Sequence, residues 1–235
     1  MAVHPARHLV TGAGSGIGRV VAERLLERGE EVVLVARSAE RAHDLRADHP
    51  GATVLVADLG NPDEVESLAG SLPEALDSLV NAAGVVDLGP LADLSVAVWQ
   101  EQLAVNLIGP AALTRIALPA LRAARGTVVM VNSGAGLQAH AQWSAYAASK
   151  HGLRALADSL RAEEHEHGVR VTSVYPGRTA TPMQRKVHAQ EGKEYDADAW
   201  IDPATVAEAI IRVLDLPEDA TVSDLTLRPS GGRPR

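Results

Sequence analysis

The sequence predicts an α/β fold in which helices cover both faces of a mostly parallel, doubly wound sheet of seven strands. Short apolar runs alternate with longer segments of helical periodicity along the whole chain. Runs that are apolar at nearly every position are typical of parallel strands buried on both faces. Apolar residues make up 46% of the chain and aromatic residues only 3%, so small and branched aliphatic side chains should form the core. A length of 235 residues suits a single domain spanning 1–235.

Seven apolar runs are predicted to be strands, with one helix between each consecutive pair. The strands are HLVT (8–11), EVVLVA (31–36), ATVLVA (52–57), SLVNAA (78–83), GTVVMVNS (126–133), VRVTSVY (169–175) and ATVSDLTL (220–227). The helices are expected over 17–28, 38–48, 62–72, 95–124, 143–167 and 203–215. This strand and helix alternation is what a parallel sheet with crossover helices requires.

Local residue types support several of these helix boundaries. Gly29 and Gly168 stand where C-terminal stops are expected, and Pro62 and Pro203 follow the capping residues Asn61 and Asp202 at the first helical position. Residues 177–200 lack clear periodicity, so we expect a substrate loop or lid there.

Composition and charge exclude several classes of function. The net charge of −8 and the absence of a basic run disfavour nucleic acid as a partner. Without cysteine the chain has no disulfide and no thiolate chemistry, which fits a cytoplasmic protein. The first ten residues do not resemble a secretory signal, and no stretch approaches the roughly 18 apolar residues of a membrane helix, so we expect no membrane association.

A glycine-rich turn follows the first predicted strand. Glycines stand at positions 12, 14, 16 and 18, immediately before and at the start of the first helix. Such a turn brings bare backbone close to a pyrophosphate at the positive end of the helix, where free N–H groups favour an anion. The position of the turn between a strand and a helix favours dinucleotide binding over a turn without a ligand, in a Rossmann-like fold.

Tyr146 and Lys150 form the second chemically informative pattern. Residues four apart share one face of a helix, so the phenol and the ammonium group can point into one cleft. A nearby cation lowers the pKa of a tyrosine from its usual value near 10 and makes the phenol a tunable proton donor and acceptor. Ser133 ends a predicted strand 13 residues before Tyr146 (146 − 133), and Asn106 lies in the preceding helical region.

These patterns together resemble the short-chain dehydrogenase/reductase family. The glycine turn reads T-G-x-x-x-G-x-G, and Asn106, Ser133, Tyr146 and Lys150 match the catalytic tetrad of the family in the family order. The resemblance runs from Thr11 to the last strand. It implies hydride transfer between a nicotinamide cofactor and a carbonyl or alcohol, with Tyr146 as the general acid/base, Ser133 holding the carbonyl oxygen, Lys150 lowering the pKa of Tyr146 and holding the ribose, and Asn106 holding a water.

The same resemblance implies a set of cofactor-binding residues. Asp58 is expected to meet the adenine amino group. NAAG (81–84) resembles the N-N-A-G segment of the family, with alanine at its second position, and either Thr179 or Thr181 is expected to approach the nicotinamide amide. The full set is Gly12, Ser15, Gly16, Ile17, Gly18, Arg37, Asp58, Leu59, Asn81, Ala82, Gly84, Tyr146, Lys150, Pro176, Gly177, Thr179 and Thr181.

Arg37 determines the expected cofactor preference. The second strand ends in Ala36-Arg37, where a carboxylate would bind the ribose hydroxyls and repel a 2′-phosphate. An arginine can instead bind that phosphate with its charged fork. We therefore expect NADP(H) to be preferred, with NAD(H) possible, although Ser15 stands where many NADP-preferring relatives carry a basic residue.

The substrate pocket is predicted less sharply. Leu88, Trp143, Met183 and Trp200 are expected apolar wall residues, whereas Gln138, His140 and Gln142 are polar candidates. The first two pocket segments contain no cluster of basic residues, so we expect a neutral ketone or aldehyde and its alcohol. Arg178, Arg185 and Lys186 in the lid leave a carboxylate or phosphate substrate open.

Two other functions and the assembly state remain open at this point. A non-catalytic NADP-binding regulator would need a degraded tetrad, and an epimerase or dehydratase on the same scaffold would show no net cofactor consumption. The nine histidines include His165 and His167, whose spacing does not suit a metal site, so no metal is expected. The resemblance implies a homodimer or homotetramer.

Overall fold

A computed structural model, which describes residues 5–230, contains one seven-stranded sheet. All strand pairs are parallel, and the strand order is β3-β2-β1-β4-β5-β6-β7. The strands are β1 (Arg7–Thr11), β2 (Glu31–Ala36), β3 (Thr53–Val56), β4 (Ser78–Asn81), β5 (Thr127–Val131), β6 (Arg170–Pro176) and β7 (Asp224–Leu227). The predicted doubly wound Rossmann-like sheet is confirmed.

Within residues 5–230, eight α-helices connect or follow the strands. They are α1 (Gly16–Glu27), α2 (Ala39–Asp48), α3 (Pro62–Ser67), α4 (Val96–Leu103), α5 (Gly109–Ala124), α6 (Ser144–Glu164), α7 (Pro182–Gln190) and α8 (Pro203–Leu214). The order of strands reverses between β1 and β4, which opens a crevice at their carboxyl ends.

The sheet separates two apolar cores because successive strand residues point to opposite faces. Leu9 and Leu79 belong to the core beneath α5 and α6, whereas the adjacent Val10 and Val80 belong to the core beneath α1 and α8. Burial on both faces explains why the strand sequences read as continuous apolar runs and not as alternating ones.

The helical region predicted over 95–124 is interrupted by a π-helical turn, Ala104–Ile108, between α4 and α5. Asn106 lies in this turn and is completely buried. Turns of this kind are rare and are frequently found at functional sites. The apolar pattern of the region does not reveal the turn because a single inserted residue barely shifts the periodicity.

The segment 177–200, expected to be a loop or lid, contains a nine-residue helix. α7 begins after Thr181, whose hydroxyl accepts a hydrogen bond from the Gln184 N–H at 3.2 Å, with Pro182 in the first turn. The helix buries Val187 and His188 within an otherwise polar sequence. The apolar periodicity did not predict α7 because the helix has too few apolar positions to form a stripe.

Together α4, the π-helical turn and α5 form a helical stretch of 29 residues, Val96–Ala124, which is long and apolar enough by composition to cross a membrane, with a mean hydropathy of 1.4 in its most apolar window. The expectation that no stretch approaches membrane length is therefore wrong by this measure. In the fold, α4 packs on α6, and α5 packs on α3 and β4. Core helices that pack on a sheet in this way pass the same test of length and composition.

Candidate active site

The glycine turn lies at the crevice between β1 and β4. Gly12 has a φ of +73°, and a Cβ atom there would lie 2.7 Å from the Ala83 amide nitrogen. A Cβ atom at Gly18 would lie 2.6 Å from the Gly12 carbonyl oxygen. Only residues without side chains fit this close approach. His49, which the sequence reading missed, is buried and donates from Nε2 to the Ala13 carbonyl at 3.1 Å.

The end of β4 is tied to the end of β1 beside this turn. The Thr11 hydroxyl oxygen accepts hydrogen bonds from the Ala82 and Ala83 amides, each at 3.1 Å. Asn81 is buried and points away from the crevice, with its Nδ2 3.3 Å from the Thr114 hydroxyl. The structure therefore brings Ala82 to the glycine turn but does not bring the Asn81 side chain to either cavity, and its role in cofactor binding stays a prediction.

A cavity of about 740 Å³ opens on one side of the glycine turn. Its far end is formed by the residues after β2 and β3. The predicted residues that line it are Gly12, Ser15, Arg37, Asp58, Leu59 and Gly84. One carboxylate oxygen of Asp58 accepts a hydrogen bond from the Gly60 amide at 2.8 Å, which holds the loop after β3 in place.

Arg41 also lines this cavity and was missed by the sequence reading. Its Nη2 atom lies 3.0 Å from the position that a Cβ atom would take at Gly14, and its Nη1 donates to Asp44 at 2.8 Å. Arg37 and Arg41 thus place two exposed guanidinium groups at one cavity. The signal that could have found Arg41 is its position in the first turn of α2, one helical turn after Arg37.

These features fit a dinucleotide. Bare backbone at Gly12 and Gly18, the start of α1 at Gly16 and a cavity of about 740 Å³ together provide a cradle for a pyrophosphate and room for a nucleoside. The two arginines at the far end provide positive charge for a further phosphate.

The predicted tetrad residues converge on the other side of the turn. Ser133 follows β5, and Tyr146 and Lys150 lie on one face of α6. The side chains of Tyr146 and Lys150 are buried, with the Lys150 Nζ 5.9 Å from the centre of the Tyr146 ring. Trp143 packs edge to face against this ring at 5.8 Å. Lys150 donates from Nζ to the Val131 carbonyl at 3.1 Å.

Burial controls the titration of this pair. Burial raises the pKa of the Tyr146 phenol, and the neighbouring Ser133 hydroxyl opposes this shift. Burial lowers the pKa of Lys150 to about 8. The sequence reading expected Lys150 to lower the pKa of Tyr146, but in this structure removal from water has the larger effect. Burial therefore favours the protonated phenol of Tyr146.

The Asn106 side chain forms hydrogen bonds both to the loop after β4 and to α6. Its side-chain oxygen accepts from the Val85 amide at 2.8 Å, and its Nδ2 donates to the Val85 carbonyl at 2.9 Å and to the Ser149 hydroxyl at 3.0 Å. A Cβ atom at Gly84 would lie 3.1 Å from the Asn106 side-chain oxygen and 3.8 Å from the Lys150 Nζ. Asn106 therefore fixes the backbone beside Lys150, and both of its amide hydrogens are already engaged.

Asn132 is a further positioning residue that the sequence reading did not identify. Its side-chain oxygen accepts from the Ser133 amide at 2.8 Å, and its Nδ2 donates to the Lys150 carbonyl at 3.0 Å. One buried amide thus connects the strand that carries the serine to the helix that carries the lysine. Its place directly before Ser133 at a strand end was the available signal.

A smaller cavity of about 270 Å³ lies above Ser133 and Tyr146. The other predicted residues that line it are Ile17, Gln138, His140, Trp143, Pro176, Gly177, Arg178, Thr179, Thr181 and Met183. Five pocket candidates do not line it, namely Leu88, Gln142, Arg185, Lys186 and Trp200. Arg228, after the last strand, lines the cavity and was not predicted.

The two threonine candidates differ in their surroundings. Thr179 is 5% exposed, and its hydroxyl donates to the Gly177 carbonyl at 3.0 Å. Thr181 caps α7, and its Cγ2 atom lies 3.0 Å from the position of a Cβ atom at Gly16. Thr181 is therefore the one that contacts the glycine turn.

The fold and the site together define an α/β protein of the Rossmann-like class, with a glycine turn at the crevice of its sheet and a cavity on either side of the turn. Comparison with known proteins gives the family: the family model described as short chain dehydrogenase matches residues 7–192, and the chain belongs to this family. An uncharacterized oxidoreductase of Staphylococcus aureus is 30% identical over 227 residues, covering 94% of this chain and 96% of the relative. The chain is thus an oxidoreductase of the short-chain dehydrogenase type.

Solved structures agree with this assignment. An alcohol dehydrogenase from the archaeon Thermococcus sibiricus, complexed with 5-hydroxy-NADP, is similar with a TM-score of 0.84 and 26% identity, covering 99% of this chain and all of that one. A variant of the actinorhodin polyketide ketoreductase solved with NADPH has a TM-score of 0.85 and 28% identity, covering 97% and 98% of the two chains.

Proposed function

We propose that this chain is an NADP(H)-dependent reductase and dehydrogenase that interconverts a ketone or aldehyde and the corresponding alcohol. The observation that carries the proposal is the meeting of Ser133 and Tyr146 on the wall of the 270 Å³ cavity, next to Ile17 and Thr181 at the glycine turn. A nicotinamide dinucleotide bound along the turn supplies or accepts the hydride.

Ser133 and Tyr146 act on the substrate oxygen. In the reductive direction, both hydroxyl groups donate hydrogen bonds to the carbonyl oxygen, which polarises the carbonyl carbon for hydride addition. Tyr146 then transfers its proton to the developing alkoxide. The raised pKa of Tyr146 supports this role because the phenol stays protonated at neutral pH.

Lys150 and Asn106 support this proton transfer. Lys150 is charged below its pKa of about 8, and its positive charge stabilises the phenolate left after the proton has moved. Asn106 and Asn132 keep the lysine in place, through the loop after β4 and through the α6 backbone. The water that the family resemblance assigns to Asn106 remains part of this proposal.

Arg37 and Arg41 support a preference for NADP(H). Both guanidinium groups border the cavity end at which the second strand stops, and no carboxylate replaces Arg37 at that strand end. Arginine binds phosphate in a bidentate manner. The two solved neighbours described above hold 5-hydroxy-NADP and NADPH, which is consistent with this preference.

The central experiment mixes purified protein with NADPH or NADH and a panel of ketones and aldehydes, and follows the absorbance of the reduced cofactor. Stoichiometric oxidation with NADPH favoured supports the proposal. Binding of NADPH without net oxidation, together with interconversion of two epimers or loss of water from a substrate, would instead assign an epimerase or a dehydratase.

Arg37 and Arg41 give the test of cofactor choice. Arg37→Asp combined with Arg41→Ala should shift the ratio of kcat/KM for NADPH to that for NADH towards NADH by about 100-fold, because two charge-assisted hydrogen bonds to phosphate are lost. Arg24→Ala removes an exposed arginine of α1 that is paired with Glu27 and is the matched control. An unchanged ratio in the double variant would show that neither arginine reads the phosphate.

The proposal includes a soluble cytoplasmic homodimer or homotetramer. Val96 and Ile108, on the stretch from α4 to α5, are 72% and 46% exposed in the single chain. The family resemblance supports this assembly, and a partner subunit packed on this stretch would bury both side chains. Size-exclusion chromatography with light scattering tests the assembly state.

A further inference from the structure

The cavity above Ser133 and Tyr146 is lined by arginine side chains although the chain carries a net charge of −8. Among the residues that the structure describes, no aspartate or glutamate lines this cavity, whereas two arginines do, Arg178 and Arg228. A wall with cations and without carboxylates favours an anionic ligand because nothing within it repels negative charge.

Arg178 is not available for such a ligand. Its Nη2 donates to both carboxylate oxygens of Glu191, at 2.7 and 2.9 Å. Its guanidinium also stacks over the Trp200 ring at 5.4 Å. Arg178 therefore holds the segment around α7 in place, and its charge is compensated by Glu191.

Arg228, unlike Arg178, is available to bind a ligand. In the part of the chain that the structure describes, it forms no ion pair with any aspartate or glutamate, and its side chain is exposed at the cavity wall. Its Nη1 lies 2.9 Å from the position of a Cβ atom at Gly134, the residue directly after Ser133. The guanidinium thus lies beside the residue that follows Ser133, and both side chains line the same cavity.

The backbone that carries Arg228 is well anchored. It follows the last residue of β7, which pairs in register with Pro176 at the end of β6. The Gly177 amide donates to the Leu227 carbonyl at 2.8 Å. The position of the arginine at the cavity is therefore a consequence of the sheet and not of a free chain end.

We propose that Arg228 binds a carboxylate of the substrate, so that the reductase acts on short oxo acids and the corresponding hydroxy acids. This inference rests on the proposed function and narrows the neutral ketone or aldehyde expected from the sequence. The carboxylate takes no part in bond making: hydride adds to the carbonyl carbon, and Tyr146 supplies the proton to its oxygen. A cavity of about 270 Å³ suits a substrate of this size.

The test compares oxo acids with their uncharged methyl esters. The substrates are 2-oxobutanoate, 3-oxobutanoate and 4-oxopentanoate, which vary the distance between the carbonyl and the carboxylate, each measured beside its methyl ester with NADPH. At least one acid should exceed its ester in kcat/KM by about tenfold or more, the lower end of what a charge-assisted hydrogen bond provides.

Arg228→Gln then assigns the preference to the residue. The variant should lower kcat/KM for the preferred acid by about 10- to 100-fold, mainly through KM, and leave the ester within about threefold. Arg24→Gln, which removes an exposed charge on α1, should change neither. Esters that match or exceed every acid in the wild type, or a variant that loses acid and ester activity alike, would overturn the proposal.

A binding measurement separates this inference from the proposed function. If no substrate supports NADPH oxidation, calorimetry with 2-hydroxybutanoate, 3-hydroxybutanoate and 4-hydroxypentanoate in the presence of NADP⁺ tests the arginine alone. Binding to the wild type that is lost in Arg228→Gln would support the carboxylate site while the reductase proposal fails. Absence of binding, or equal binding to both proteins, would overturn the site.

Discussion

Tyr146 carries the proton in the proposed reaction. The chain contains two other tyrosines, and one of them, Tyr175, provides a matched control. Tyr146→Phe should lower kcat by about 10²- to 10⁴-fold, the usual contribution of a general acid, while NADPH binding is kept. Tyr175 is buried in β6, and its hydroxyl has no hydrogen-bond partner among the described residues, so Tyr175→Phe should leave turnover unchanged. Stopped-flow turnover and fluorescence titration of NADPH measure both quantities. Substantial turnover in Tyr146→Phe would remove the phenol from the mechanism.

The pKa of Lys150 predicts how the rate of the reduction depends on pH. Its pKa of about 8 means that it is charged below this pH and neutral above it, whereas Tyr146 stays protonated across the same range because its pKa is raised. The kcat/KM for the carbonyl substrate should therefore be flat below about pH 8 and fall as the pH rises further. In Lys150→Arg, any remaining activity should lack this fall, since arginine stays charged. A fall that persists in the variant would assign the titration to another group.

At the scale of single residues, the sequence predicted which side chains lie together when those residues are close in the chain. The spacing of Tyr146 and Lys150 on one helical face follows from helix geometry alone. The hydrogen-bond partners of Asn81 and Asn132 were not predictable, because both residues are amides at the end of a strand. Only the packing of α5 and α6 determines that Asn81 faces Thr114 and that Asn132 accepts from the Ser133 amide.

Among the elements, the turn between β1 and α1 depends most on backbone without side chains. Gly18→Ala should destabilise the protein by about 1–3 kcal/mol and abolish NADPH binding, because the new Cβ atom would meet the Gly12 carbonyl. Gly70→Ala is the control, since no other atom lies within 4 Å of a Cβ atom there. Chemical denaturation and NADPH titration measure the two effects. Equal stability of the two variants would contradict the close packing of the turn.

The helix α7 was not predicted from the apolar pattern of the sequence. Its capping residue and first-turn proline, Thr181 and Pro182, are ordinary helix signals, but the helix that follows is mostly polar. His188 is buried between the rings of Tyr195 and Trp200, at 5.4 and 5.2 Å. Contacts with residues further along the chain therefore stabilise α7, and these contacts leave no periodic trace within its own sequence.

At the scale of the whole molecule, α5 and α6 are joined by an ion pair. Arg122 donates from Nε and Nη2 to the two carboxylate oxygens of Glu164, at 2.8 and 2.7 Å, and the Glu164 side chain is only 2% exposed. The hydrogen bonds from Arg122 lower the pKa of Glu164. A carboxylate whose pKa is lowered by folding stabilises the protein above the unfolded pKa, and this stabilisation is lost as the pH falls through the lower folded value.

Arg122→Leu tests this pair. The variant leaves a buried carboxylate without its partner and should lose about 1–3 kcal/mol at neutral pH, less than for a fully buried pair because Arg122 is partly exposed. The loss relative to the wild type should shrink as the pH falls below the usual range of glutamate. Urea denaturation at several pH values measures it, with Arg212→Leu, whose partner Glu208 is exposed, as the control. A loss independent of pH would show that packing and not charge is responsible.

The sequence by itself determined the alternation of strands and helices, the glycine turn, and the identity and order of Asn106, Ser133, Tyr146 and Lys150. Each of these is written in residues close together in the chain, where helix and strand geometry relate spacing directly to position. Only the tertiary structure decided that Arg41 reaches the glycine turn, that Asn132 joins β5 to α6, and that Arg228 lies beside Gly134. These contacts depend on which strands become neighbours and how side chains fill the space between layers, and residues distant in sequence settle both.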